Sequence, residues 1–192
     1  MRIKILDYVI ATSFHRTPML STTGFTNETE DRRFILFADY DSVNLDVVER
    51  DAAFVQANYD IGTILIVSSS REYNYSEDGK PYGNYHLIGL TKVEFPAMLE
   101  ILDHLRCDFH FKRGWRYQYR SWVLRLHKKL DRKNNAIKDK PVLIDILPAN
   151  TRRTYSKAHI IFLEKYFGKS FGINKKRCDN SKHIEIINYV TR

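Results

Sequence analysis

The chain is poor in cysteine. Cys107 and Cys178 are the only two among 192 residues, too few for a disulfide framework. It also lacks any apolar run approaching the roughly 20 residues that a membrane-spanning helix needs. Its first residues, Met1-Arg-Ile-Lys-Ile-Leu-Asp7, hold neither a long apolar segment nor a small-residue cleavage site. They read as a strand and not as a signal peptide. Together these absences predict a cytoplasmic protein with no membrane contact. Internal repeats and low-complexity tracts are missing as well.

What is present is a globular composition. Hydrophobic residues make up 43% and aromatic residues 13% of the chain, enough for one domain with a real core and a short appendage. Lys and Arg outnumber Asp and Glu by 31 to 23, a net charge of +8. Such an excess suits a polyanionic partner, because each cation placed on a phosphate releases condensed counterions. There is no Gly-x4-Gly-Lys-Ser/Thr loop, so a fused P-loop ATPase or helicase is excluded. There is also no His-hydrophobic-His pair, which argues against a rolling-circle relaxase.

Hydrophobic periodicity predicts the elements. Residues 2–11 read as a first strand and residues 21–31, rich in Thr, Asn and Gly, as a loop. The apolar run Phe34-Ile-Leu-Phe-Ala38 reads as a buried strand ending in Asp39-Tyr-Asp41. Helical spacing follows from Val43 to Tyr59, with Asn44 as the N-cap and Asp46 in the first turn. Thr63–Val67 and Tyr85–Leu90 read as strands, separated by a hairpin-like excursion over 68–83. A helix carrying Phe95, Met98, Leu99, Leu102 and Leu105 comes next, with Pro96 in its first turn. Tyr119–Leu126 completes a β-α-β-β-α-β order, the split βαβ of RRM-like sheets. The fold class predicted is therefore α+β: an RRM-like core sheet with flanking helices over residues 1–130, plus a small C-terminal α/β extension over 131–192. That extension should hold a strand near 142–147, a helix near 156–167 and a strand near 183–190.

Several residues in this frame carry chemistry. Asp39 and Asp41 sit two apart at a strand end, so regular alternation turns both carboxylates to one face. Adjacent carboxylates repel unless a cation lies between them, and hard oxygen donors suit Mg²⁺ or Mn²⁺. The alternative is an ordinary strand-to-helix turn rich in Asp. His86 lies within an apolar strand. Asp108 follows the second helix. Arg125 stands in the otherwise apolar Trp122-Val-Leu-Arg-Leu126, where a cation needs a phosphate, a carboxylate or another partner to offset its burial.

In order, these are a hydrophobic strand with Asp39-x-Asp41, then Asn84-Tyr-His86, then Asp108, then a strand with Arg125 and Lys128. This order resembles the motifs of the archaeo-eukaryotic primase superfamily: Asp-x-Asp/Glu, a small residue-x-His, then an Asp followed by a strand bearing Arg and Lys. The resemblance covers about residues 34–129. The Pro and Ser that usually follow the Arg are absent, and the insertion before His86 is long. Asp145, in Val142-Leu-Ile-Asp-Ile-Leu147, is an alternative third carboxylate.

The resemblance implies a DNA primase/polymerase-like nucleotidyltransferase that adds nucleoside triphosphates on a single-stranded DNA template. Asp39, Asp41 and Asp108 would hold two Mg²⁺ or Mn²⁺ ions roughly 4 Å apart, while His86, Arg125 and Lys128 would contact the triphosphate. A separate helicase or replication protein would be a further partner. Arg113, Trp115, Arg116 and Arg120, in the basic aromatic stretch 109–122, are the candidate template surface, against a half-buried hairpin as the alternative. His104-x-x-Cys107-x-x-His110 has metal-like spacing but reads as packing residues rather than a structural zinc site. The competing functional class is a non-catalytic single-stranded nucleic-acid-binding replication accessory protein on the same fold, and a nuclease using the same carboxylates is a third.

Overall fold

Two short strands open the chain, β1 (Arg2–Ile5) and β2 (Tyr8–Ala11), paired antiparallel with each other. The next is β3 (Leu20–Thr26), where a loop is expected from the local sequence. Phe25 explains the difference. It is 1% exposed and meets Phe37 edge to face with ring centroids 4.9 Å apart, so core packing overrides the Gly and Thr turn signals around it. This computed structural model describes residues 2–5, 8–11, 20–69, 74–75, 81–112, 122–127, 129–130, 136–138 and 140–191.

The apolar runs build a sheet as expected. β4 (Phe34–Asn44) leads into helix α1 (Leu45–Tyr59). Asn44 occupies the N-cap, but its side chain makes no capping bond, and Val43, expected in the helix, belongs to the strand. Then come β5 (Ile64–Ser68), β6 (Asn74–Tyr75), β7 (Pro81–Val93) and helix α2 (Phe95–His104). The sheet order is β11-β5-β7-β4, with β11 (Val142–Leu147) on the β5 edge and β6 on β7. Every pairing in it is antiparallel.

A second antiparallel sheet surrounds β3. Its members are β8 (Val123–Arg125), β9 (Lys129–Leu130), β10 (Ala136–Lys138) and β12 (Ile186–Thr191). The expected strand over 119–126 thus appears as β8, but it pairs with β3, matching Gly24 to Arg125. It does not extend the first sheet beside β4. Residues 119–121 lie outside the described residues. The chain is a mixed α+β protein built on two antiparallel sheets.

Helix α3 (Lys157–Phe167) closes the core. Its His159 is fully buried, with Nε2 3.0 Å from the Thr26 carbonyl and Nδ1 2.8 Å from Ser156 Oγ. A carbonyl only accepts, so Nε2 carries the proton and the Ser156 hydroxyl donates to Nδ1. Tyr155, just before α3, places its hydroxyl over Gly62, in the space a Cβ would fill. Ionic contacts complete the seam. Lys92, 3% exposed, sends its ammonium to Asp31 (2.8 Å) and Asp179 (2.5 Å). Burial alone would raise both carboxyl pKa values; hydrogen bonds from Arg33, Lys92 and Thr29 hold Asp31 far below the usual range, and those from Lys92 and Ser181 lower Asp179.

Two outcomes follow for stability. Lys92→Ala leaves the Asp179 carboxylate, 15% exposed, without its ammonium partner, while the exposed Asp31 keeps Arg33, and urea denaturation should show a loss of about 2 kcal/mol. His159 titrates in the opposite sense to a paired surface histidine. Burial lowers its pKa from 6.5 to about 4, although the Thr26 carbonyl acts against this. The unfolded chain therefore binds this proton first as pH falls, so the contribution is complete above pH 6.5 and shrinks towards pH 4 by about 3 kcal/mol. Denaturation midpoints measured across that window should fall steeply for the wild-type chain. For His159→Gln they should start lower and change less.

Candidate functional site

The site begins at the C-terminal end of β4. Tyr40 is fully buried and donates its hydroxyl to Asp51 of α1 at 2.9 Å, so its face of the strand looks at the helices. Phe37 turns the other way, to Phe25 of the second sheet. Asp39, two residues on from Phe37, shares that face. Directly across the strand pair stands His86 of β7, and its Nε2 lies 3.4 Å from Asp39 Oδ1. The two form an ion pair whenever His86 is protonated. The His86 side chain is 7% exposed and that of Asp39 30%, so the carboxylate is the member of the pair that solvent reaches.

Just beyond, β4 carries one residue too many. Tyr40 pairs with Tyr85 and Val43 with Gly83, which leaves Asp41 and Ser42 opposite Asn84. This is a β-bulge. Ser42 has φ 57° and its N–H donates to Asn84 Oδ1 at 2.8 Å. Asp41 is exposed. The simple i, i+2 alternation therefore holds only up to the bulge, and Asp41 stands at its first position.

Asp108 arrives from a different element. Its backbone N–H donates to the Asp39 carbonyl at 2.6 Å. That bond falls on the edge of β4 away from β7, where a further strand would otherwise pair. Its carboxylate Oδ1 accepts from the Phe111 N–H at 2.8 Å and caps a helical turn over 109–112. One carboxylate oxygen is thereby committed to backbone capping and Oδ2 lies outside that bond.

What holds 105–108 in place is Asp51, which local sequence patterns do not single out. It is buried at 4% exposure in the middle of α1. One oxygen accepts from Tyr40 Oη (2.9 Å) and the Arg106 N–H (2.7 Å); the other accepts from Arg106 Nε (2.9 Å) and Nη2 (2.7 Å). A buried acid within a helix whose spacing calls for an apolar residue is the signal that could have found it. Cys107, next in line, is 6% exposed. Burial, with the Asp51 and Asp39 carboxylates adding to it, pushes its thiol up to about 12, so it is no nucleophile at neutral pH.

Arg125, 8% exposed, reaches from β8 towards the first sheet. Its guanidinium donates to the backbone carbonyls of His127 (2.7 Å) and Ser69 (2.9 Å). Ser69 in turn donates its N–H to the Asn84 carbonyl, two positions along β7 from His86. The geometry thus joins Asp39, His86 and the Asp108 backbone at one point, with Arg125 a short way along the sheet. Asp145 lies on β11, two strands from β7, and its Oδ1 accepts from the Ile146 N–H.

Asp39 and Asp41 supply hard oxygen donors at an exposed strand end, the chemistry Mg²⁺ and Mn²⁺ prefer. Among the described residues, no three His, Cys, Asp or Glu side chains converge as a closed metal centre. Magnesium usually takes only one or two carboxylates and fills its shell with water and substrate phosphates. The donor set therefore fits an ion that arrives with a triphosphate better than a resident one. The His104 ring packs against Phe54 and Tyr59, at 5.9 and 6.1 Å between centroids.

Lys128, Arg113, Trp115, Arg116 and Arg120 lie outside the described residues. Trp122, at the end of that basic aromatic stretch, is 4% exposed and stacks on Phe111, whereas Phe109 is 62% exposed. No protein-family model matches the chain, and comparison with curated proteins and with solved structures returns no significant match.

The Asp108 geometry separates a capping role from a charge role. Asp108→Ala should cost about 1 kcal/mol of stability through the lost cap. Asp108→Asn keeps an acceptor oxygen and should cost a few tenths at most. Chemical denaturation of the two variants checks this, and equal losses would mean the charge rather than the cap stabilises the turn.

Proposed function

We propose that this protein is a metal-dependent nucleotidyltransferase of primase–polymerase type that extends strands on a single-stranded DNA template. Its catalytic module would be an RRM-like split βαβ core made of β4, α1, β5, β7 and α2. The supporting observation is convergence. Asp39, His86 and Asp108 are far apart in the chain and come from three elements. They nevertheless meet as a cross-strand pair with a backbone bond beside it, in the order the resemblance requires. Strands β4 and β5 both run antiparallel to β7 and flank it, which agrees with a split βαβ.

In this reading Asp39 and Asp41, with Asp108 alongside, hold Mg²⁺ or Mn²⁺, which when bound neutralises triphosphate charge and favours ionisation of the attacking hydroxyl. The chain's own groups do the positioning. Asp39 stands beside Nε2 of the His86 imidazole, so that the ring is held across the strand pair and, once protonated, would add positive charge beside the triphosphate. Arg125 and Lys128 supply cations for the remaining phosphate charge. Phosphoryl transfer depends mainly on such positioning and charge neutralisation.

One observation favours the second reading, a non-catalytic single-strand-binding accessory protein. The Arg125 guanidinium bridges backbone carbonyls across the two sheets, a structural task for a residue that the enzyme would turn to phosphate. The two readings differ in their response to the double variant Asp39→Ala/Asp41→Ala. For the enzyme, nucleotide incorporation on a primed single-stranded template with Mn²⁺ should fall at least roughly a thousandfold while the circular dichroism spectrum is unchanged. Incorporation at the wild-type rate in that variant rejects the assignment. If the wild-type chain incorporates nothing and gains no melting temperature from Mn²⁺ plus nucleotide, the binding reading replaces it.

A further inference from the structure

Between α3 and the residues leading into β12 lies an open pocket of about 660 Å³. Its rim carries Lys140, Lys165, Lys182 and His183, and the carboxylate that meets these residues is that of Glu30, which accepts from the Lys182 and His183 N–H groups and lies 4.0 Å from His183 Nε2. The floor is apolar and aromatic. Phe162 and Tyr166 lie nearly parallel, at 19° with centroids 6.1 Å apart. Ile161 lines the same pocket and is 56% exposed, an unusual place for a large aliphatic side chain on a lysine-rich surface. The Lys140 ammonium sits 4.2 Å from the centre of the Tyr166 ring.

We propose that this pocket is a binding site for single-stranded nucleic acid, with phosphates on the lysine rim and a base against the Tyr166–Phe162 wall. The argument is one of complementarity. A rim on which three lysines outnumber the single neighbouring carboxylate among the described residues, Glu30, favours an anion. Flat rings and an exposed aliphatic edge beneath that rim select a ligand that is also planar and apolar. A nucleotide unit combines the two, and cations interleaved with ring faces are the usual composition of a single-strand path. The volume lies within the ordinary range for ligand sites. Position supports the same occupant. The Tyr166 hydroxyl donates to the Leu126 carbonyl, and the His127 carbonyl accepts from Arg125, so the pocket wall meets Arg125 at the segment 126–127, and Arg125 in turn reaches the Ser69 carbonyl beside β7. A strand lying in the pocket would run towards Arg125. The site does not depend on polymerase chemistry, since an accessory protein that only binds single strands would carry it equally.

The test is equilibrium binding of the whole chain to a fluorescently labelled oligothymidylate, without metal or nucleotide, so that failure of catalysis cannot be mistaken for failure of binding. Two variants sit on exposed positions and should leave the melting temperature unchanged: Lys165→Ala/Lys182→Ala and Ile161→Glu. The first should weaken binding roughly tenfold and lower the slope of log K against log salt by about 0.7 for each phosphate that is no longer neutralised. The second places a carboxylate on the floor and should weaken binding at least as much. Tyr166→Phe should bind as the wild-type chain does, because the ring is kept, whereas Tyr166→Leu should bind roughly tenfold more weakly. Unchanged affinity and salt slope in both exposed variants overturn the proposal, as does absence of strand binding by the folded wild-type chain. A pocket that takes thymidine monophosphate, with strand affinity indifferent to these changes, overturns it too.

Discussion

The Asp51 carboxylate anchors the candidate site. It is buried in the middle of α1 and receives hydrogen bonds from the Tyr40 hydroxyl, the Arg106 N–H and the Arg106 guanidinium. A buried carboxylate is costly unless each of its oxygens is satisfied, and here both are. The same bonds tie together three parts of the chain: the strand carrying Asp39, the first helix, and the segment after the second helix. Once Arg106 is held, Asp108 has little choice of position, and its N–H meets the Asp39 carbonyl. The pairing capacity of that β4 edge is used by a capped turn at this point.

A second set of contacts joins the two sheets. Phe25 of the second sheet packs on Phe37 of the first and on Phe162 of α3. Lys92, at the far end of β7 from His86, draws in Asp31 and Asp179. Residues beyond 140 therefore contribute in two ways: β11 and β12 pair with strands of the two sheets, and Asp179 satisfies a buried lysine. Arg125 performs a related service from the opposite side, donating to carbonyls of the loop after β5 and of its own strand end. Its burial is offset by backbone acceptors, which is why a cation can stand in an apolar strand at all.

These two anchors leave an uneven molecule. The face near Asp39 and Asp41 is acidic and partly exposed, suited to cations that accompany phosphate. The face formed by α3 and the entry to β12 is lysine-rich and aromatic, suited to phosphate and base directly.

Elements with local signals were legible in the chain alone. The apolar run Phe34–Ala38, the buried Ile64–Val67 strand, the amphipathic helices and the Val142–Leu147 strand could all be read from spacing, because period and burial are encoded within a dozen residues. So could Asp39 and His86 as chemically odd residues in apolar strands. Partnership was settled only by the folded arrangement. Residues 21–31 read as a loop locally, yet Leu20–Thr26 is a strand because Phe25 finds a core and Ile186–Thr191 supplies a partner more than 150 residues away. The strand of Arg125 was recognisable, but its choice of β3 over β4 was not, since pairing energy comes from whichever edge the fold presents. Asp41 was visible while the bulge that re-aims it was not, because an extra residue is defined only against the opposite strand. Asp51 was hidden for the same reason: a buried carboxylate is tolerable only when its donors arrive from elsewhere in the chain, and those donors have no local signature.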